Sequence, residues 1–196
     1  MSDLIVRGAE AADRPVIERL WHLFQHDLSE FRGALPHPDG SFRTERLDAV
    51  FADADRMPYL VTRREHPVGF AFVRAVKSSP HVLGSFFVVR GARRAGIGMW
   101  AVREVVARHP GDWEVAFQDD NPGVVRFWRH VAAEIAGDAW TEERRPVPGR
   151  PDLSPDVWIS FRGGHVRGAA RPAARSPLLN APTSSSAPPP PPAAGR

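Results

Sequence analysis

The chain has 196 residues, 42% of them hydrophobic and 25% charged, proportions of an ordinary soluble globular protein that exclude collagen-like, coiled-coil and wholly disordered classes. No apolar run approaches the roughly 18 residues of a membrane span. The opening Met-Ser-Asp-Leu-Ile-Val lacks the basic start of a signal peptide, and the absence of cysteine removes disulfides, thiolate nucleophiles and cysteine metal sites, so a cytoplasmic protein without a membrane partner is expected. The net charge of +3 includes five arginines after the last acid, Asp156, so the residues before Arg162 carry −2 and no nucleic-acid partner is expected.

Leu4 to Arg7 reads as a first strand, and Asp13 with Pro15 behind it as a helix start. Ile17, Leu20, Trp21, Phe24, Leu28 and Phe31 follow as the stripe of one amphipathic helix. Gly33 to Gly40, with Pro36 and Pro38, breaks it, and Thr44 to Ala52 predicts a second, shorter helix with Leu47, Val50 and Phe51 on one side. Tyr59 to Thr62, Val68 to Val76 and Val82 to Val89 are strand candidates joined by connections short enough for antiparallel hairpins. A basic, glycine-bearing loop leads to a helix from about Ile97 to Arg108, with Ala101, Val102, Val105 and Val106 inward. Trp113 to Gln118 predicts a strand, Asn121 to Val131 a helix, Ile135 to Trp140 a weak strand, and the alternation of Val157, Ile159 and Phe161 a last strand. From about Gly163 the composition turns to Gly, Ala, Pro, Ser and Arg, ending in the run Pro188 to Pro192, which predicts a disordered tail over 163–196 after a domain over 1–162. The order β-α-α-β-β-β-α-β-α-β-β is that of an α/β or α+β layer with a mixed sheet.

The informative segment runs from Phe86 to Gly98, Phe-Phe-Val-Val-Arg-Gly-Ala-Arg-Arg-Ala-Gly-Ile-Gly. A buried strand passes through a loop into a helix N-terminus, where unpaired backbone N–H groups and the positive end of the helix dipole make an anion site suited to pyrophosphate. Gly96 and Gly98 present no side chain to keep a phosphate from the backbone, and Arg93 and Arg94 add charge. The same two glycines would serve simply to turn the chain. A dinucleotide fingerprint lacks its third glycine, and no Gly-Lys-Ser/Thr exists for a Walker loop.

Arg93-Arg94-Ala95-Gly96-Ile97-Gly98 matches the Arg/Gln-x-x-Gly-x-Gly/Ala acyl-CoA signature of the GNAT N-acetyltransferases, and the chain resembles that family over about residues 3 to 162. Trp113-Glu114-Val115 resembles the family's next strand, and Asn121-Pro122 through Phe127-Trp128 the helix that closes the cofactor cleft. The resemblance implies a mixed, mostly antiparallel central sheet flanked by helices. It implies transfer of an acetyl group from acetyl-CoA to an amine of a small molecule or peptide by direct attack. Backbone amides of Arg93, Arg94, Ala95, Gly96, Ile97 and Gly98 would hold the pyrophosphate, Val88 and Val89 would offer backbone groups to the pantetheine arm where the fourth and fifth strands splay, and Asn121 would bind that arm. Asn121 as a plain helix cap is the alternative.

Two departures from the family pattern matter. Many members carry a tyrosine seven residues after that asparagine as general acid; here Trp128 stands there, and an indole N–H supplies no proton at neutral pH. An acid often precedes the Phe-Phe-Val strand, and here Ser85, a poor base, takes its place. The catalytic residues are therefore not identified, with Ser85, Glu30 and Asp27 as candidates. Gln118, Asp119 and Asp120 follow the fifth strand on the cofactor edge, Tyr59 reads as core or cleft lining, and His22 and His26, at i and i+4, lack a third metal ligand. A non-catalytic acyl-CoA-binding or regulatory module is the rival reading, and a phosphate-binding domain of another fold a third. The acceptor is not named by the sequence, and neither is the oligomeric state, with which a homodimer is compatible.

Overall fold

The computed structural model describes residues 3–147, 149 and 154–164. The elements are β1 (Leu4–Gly8), α1 (Arg14–Arg32), α2 (Glu45–Ala52), β2 (Arg56–Arg63), β3 (His66–Arg74), β4 (His81–Val88), α3 (Ile97–Arg108), β5 (Gly111–Phe117), α4 (Pro122–Ala136), β6 (Trp140–Arg145) and β7 (Asp156–Gly163). This is the expected order, and it forms one seven-stranded sheet in the sequence β1-β2-β3-β4-β5-β7-β6. Every neighbouring pair is antiparallel except β4 and β5, joined in parallel through the crossover helix α3. The disordered tail expected over 163–196 lies, beyond Gly164, outside the described residues; Gly163 itself closes β7.

The two sheet faces carry separate cores, as strand alternation requires. Val115, Phe117, Ile159 and Phe161 pack under α3 and α4 against Val102, Val105, Trp128 and Val131. Phe70, Phe72 and Phe87 face the other way, under Ile17, Leu20 and Trp21 of α1 and Leu47 and Val50 of α2. The helices α1 and α2 thus cover the β2–β4 side, and the aromatic cluster of Trp21, Phe24, Phe70, Phe72 and Phe87 fixes α1 on the sheet with ring centroids 4.6–6.0 Å apart.

The weak strand expected over Ile135 to Trp140 is corrected. Ile135 and Ala136 are the last turn of α4 and pack on the core, because they continue the helical spacing of Trp128, Val131 and Ala132. Gly137, at φ +60°, ends that helix, and β6 starts only at Trp140. The strand β6 reads Trp-Thr-Glu-Glu-Arg-Arg and sits on the sheet edge, where charge rather than apolar alternation is the rule. Its charges are used across the fold: Arg129 holds Glu142 at 2.7 Å, and Arg145 holds Glu114 at 2.8 Å.

Candidate active site

The β3–β4 ladder pairs Phe72 with Ser85 and Val73 with Leu83, leaving Gly84 as the extra residue of a bulge on β4. At that point β4 also leaves β5: the parallel pairing runs only from His81–Trp113 to Leu83–Val115. Beyond Leu83 the two strands part, and a cleft of about 120 Å³ opens between them, walled by Phe24 and Leu28 of α1, Phe86 of β4, Phe117 of β5 and Trp128 of α4. Val89 N–H donates to Val68 O at 2.9 Å, so alternation along β4 turns the backbone of Phe86 and Val88 toward the opening. Of the two residues expected to meet a pantetheine arm, Val89 has both backbone groups engaged, its oxygen by Ala92 N–H at 2.9 Å. Val88 O accepts the Arg93 Nε at 2.7 Å, which leaves its N–H.

A short 3-10 turn at Arg90–Ala92 carries β4 into the signature loop. Arg94 and Gly96 lie at φ +65° and +74°, and α3 begins at Ile97 with its first helical bond from Trp100 N–H to Gly96 O at 3.0 Å. The N–H groups of Ile97, Gly98 and Met99 precede that bond and point out of the helix end, where a Cβ on Gly98 would stand 3.8 Å from the Phe86 ring of the cleft wall. Around Gly96 nothing lies within 4 Å of where a Cβ would stand, whereas a Cβ on Gly98 would meet the Phe127 ring at 3.2 Å. Gly96 thus leaves open space at the helix start, and Gly98 admits the ring that stacks on Phe86, centroids 5.8 Å apart.

The loop arginines divide in the same way. The Arg93 guanidinium pairs with Asp27 of α1 and lies over the Phe87 ring, 5.6 Å from its centroid. Arg90 reaches the same carboxylate at 2.9 Å and Glu30 at 3.8 Å. Arg94 is exposed and has no hydrogen bond or ion pair among the described residues. An anion of pyrophosphate type therefore fits the loop, with the amides of residues 94–98, the open space at Gly96 and the free Arg94 available to it.

The candidate acid and base groups are placed as follows. Asp27, only 18% exposed, spends its carboxylate on Arg90 and Arg93, and Glu30 stands on the surface. Ser85 is buried in the cleft wall, with its hydroxyl donating to Gly84 O at 2.8 Å. Asn121 caps α4, its Oδ1 accepting from Gly123 and Val124 N–H at 3.0 and 3.2 Å, and its amide nitrogen stays available in the cleft. Trp128 is buried against Phe86 and Phe127 at the cleft's inner end. Gln118 and Asp120 line the cleft, while Asp119 is bound by Arg144, whose hydrogen bond lowers its pKa. Tyr59 lies in the core under α3 and α4 and does not line the cleft, its hydroxyl 2.6 Å from His109 Nε2, with burial raising its pKa. Among the described residues no three His, Asp or Glu side chains gather as a metal site.

Two residues that sequence reasoning missed stand in the cleft wall, Arg46 of α2 and Arg32 at the end of α1. Nothing in the sequence marks them, since an arginine on the polar side of a helix reads as solvated. The bulge had a faint signal in Gly84, a glycine within a strand.

A splayed parallel pair in an otherwise antiparallel seven-stranded sheet, opening over a glycine-bearing helix start, is the fold of the GNAT acetyltransferases. The chain superposes on an acetyltransferase from Thermus thermophilus with a TM-score of 0.60 at 16% identity, covering 82% of this chain and 97% of that one. It superposes on a GNAT-family acetyltransferase from Staphylococcus aureus with a TM-score of 0.57 at 12% identity, covering 81% and 98%. A spermidine N-acetyltransferase from Vibrio cholerae, in complex with CoA and spermine, matches with a TM-score of 0.58 at 11% identity, covering 83% and 97%. No protein-family model matches the chain, and no curated protein matches it by sequence.

Proposed function

We propose that the chain is an acetyl-CoA-dependent N-acetyltransferase, with residues 1–162 sufficient for the reaction and the cytoplasm as its place of action. The observation that carries this reading is the gap between β4 and β5, which opens beside the unpaired amides of the α3 start and the empty space at Gly96. When bound, acetyl-CoA supplies a thioester carbon open to attack: the acceptor nitrogen forms the C–N bond, the C–S bond breaks, and the proton lost by nitrogen ends on the departing sulfur through water. The chain's part is to hold and to orient. Amides of residues 94–98 and the Arg94 guanidinium bind pyrophosphate. The Phe86 and Val88 backbone and the Asn121 amide hold the extended arm, and the Phe86, Phe127 and Trp128 rings keep bulk water from the thioester.

The Trp128 indole N–H can donate a hydrogen bond but no proton, and Ser85 lines the cleft with a hydroxyl already bonded to Gly84 O. Water therefore carries both proton transfers. These same two residues favour the second reading, a module that binds acyl-CoA without turning it over. Isothermal titration with acetyl-CoA, followed by thiol release across amine classes, separates the two. Binding with amine-stimulated thiol release supports the enzyme, binding without release under any amine supports the module, and absence of binding overturns both.

A further inference from the structure

We propose, building on the acetyltransferase reading, that the acceptor amine carries an oxyanion, a carboxylate or a phosphate, which Arg46 and Arg32 hold beside the β4–β5 gap. Arg46 extends from α2 over the bulge, with its Nη1 3.3 Å from Gly84 O and 3.4 Å from Ser85 Oγ. Arg32 closes the same cleft from the end of α1. Arg74 of β3 comes near from the other side, since a Cβ on Gly84 would stand 3.9 Å from its Nε. Two guanidinium groups, those of Arg46 and Arg74, thus stand at the residue where β4 departs from β5, and Arg32 lines the same cleft as Arg46.

Many arginines of this protein pair with acids, among them Arg7 with Asp13, Arg14 with Asp48, Arg90 and Arg93 with Asp27, Arg129 with Glu142 and Arg145 with Glu114, while others such as the exposed Arg94 do not. Arg46 and Arg32 have no such partner among the described residues. The acids that face them do not supply one. Glu114 is held by both nitrogens of the Arg145 fork at 2.8 and 3.1 Å, while Asp120, which lines the cleft, acts on Arg32, and Asp156 on both Arg32 and Arg46, only through space. Loss of water around Arg46, and then the charges of Arg32 and Arg74, lower its pKa, while a guanidinium remains charged throughout. Desolvation lowers Arg32 likewise. A cationic cleft wall of this kind is stabilised by an anion, and the planar fork of arginine matches carboxylate and phosphate.

The same charges would ease deprotonation of the acceptor, beside the Asp120 carboxylate that lines the cleft. An ammonium group in a positive field loses its proton to water more readily than in bulk solution. Two guanidiniums against one carboxylate leave a positive remainder while the anion is bound, whereas a phosphate nearly balances them. A polycation such as spermidine has the opposite charge from what this wall attracts.

The test uses the full chain and a panel of α- and β-amino acids and O-phosphoethanolamine, each beside its amide or its dephosphorylated form, with spermidine alongside. Thiol release from acetyl-CoA and direct titration of the panel without acetyl-CoA are both measured. We expect at least a tenfold preference in kcat/KM for an oxyanion-bearing acceptor over its neutral partner. Arg46→Gln is expected to raise its KM tenfold or more, to erase the preference and to leave acetyl-CoA affinity unchanged, with Arg46→Lys intermediate. The carboxylate and phosphate arms show which oxyanion is used. Equal or better turnover of neutral amines or spermidine, or panel binding that ignores Arg46→Gln, overturns the proposal, as does a panel of which no member binds. Failure of acetyl-CoA to bind overturns the acetyltransferase reading instead, and the direct titrations then still decide whether Arg46 holds an anion.

Discussion

Gly96→Ala separates what the signature loop does for the fold from what it does for a ligand. Gly96 lies at φ +74° with nothing within 4 Å of a new Cβ, so in the unliganded protein the substitution meets no atom and costs only the left-handed backbone strain, about 1–2 kcal/mol. For a domain of this size that is a fall in Tm of about 2–8 °C. If the pyrophosphate of acetyl-CoA lies against the backbone there, the methyl group occupies its space, and the dissociation constant rises tenfold or more, about 1.4 kcal/mol at the least. Thermal unfolding of the free protein and isothermal titration with acetyl-CoA read the two effects separately. Arg94→Gly is the mirror experiment. Its side chain leaves a left-handed position at φ +65°, so the fold keeps its Tm or gains, while acetyl-CoA binds more weakly for want of one charge. A Gly96→Ala protein that loses the expected stability and binds acetyl-CoA as before would show that the loop is a turn and nothing more.

Gly69→Ala should be far more damaging to the fold, because a Cβ there runs into Phe87 O and comes within 3.3 Å of Val88 Cα, backbone atoms that cannot rotate aside; we expect a loss of about 3 kcal/mol or more, and an unchanged Tm would refute the β3–β4 spacing. Trp128→Tyr places a phenol where the indole now lines the cleft, and should raise kcat several-fold with a new pH dependence if protonation of the departing sulfur limits turnover, whereas Trp128→Phe should change kcat little beyond its packing cost. His109, whose pKa is lowered by burial first and then by the charges of His81 and Arg108, takes up a proton less readily folded than unfolded. Its stabilisation is therefore complete above the ordinary histidine value of about 6.5 and is lost as pH falls below it. His109→Gln should flatten that fall in unfolding free energy below about pH 6.5, and parallel curves for the two proteins would exclude the assignment.

The element order was legible because each buried face leaves a periodic trace: the stripe from Ile17 to Phe31 and the alternation of Val157, Ile159 and Phe161 are the core contacts themselves. The edge strand β6 left no such trace. Its Thr-Glu-Glu-Arg-Arg pairs by charge with α4, β5 and neighbouring residues, and a charge pattern does not distinguish strand from loop. The signature loop was legible as a candidate anion site from its glycines and its place before a helix. The proposed acceptor wall was not, because Arg46 meets Gly84 and Ser85 only through the register of β4, nearly forty residues along the chain. Asp27 was open to reading as a base for the same reason, since its Arg93 partner is 66 residues away.

A signature match therefore carries two kinds of information that only geometry separates. Arg93 is committed to the fold through Asp27, Val88 O and the Phe87 ring, and Gly98 is committed through the Phe127 ring. Asn121 has given one end of its amide to the start of α4. These residues would be required by the architecture even in a protein that bound no cofactor, so their presence alone argues for the fold. Arg94 and Gly96 are different: no side-chain contact among the described residues repays the left-handed backbone at Arg94, which costs of order 1 kcal/mol, and Gly96, beyond the backbone bond its oxygen accepts from Trp100 N–H, leaves the space at its Cα open. Strain held in an exposed loop beside unpaired helix-start amides has no return within the unliganded chain. An anion drawn to those amides supplies one, which is why the binding function is to be tested at Arg94 and Gly96 rather than at the better-connected residues of the same motif.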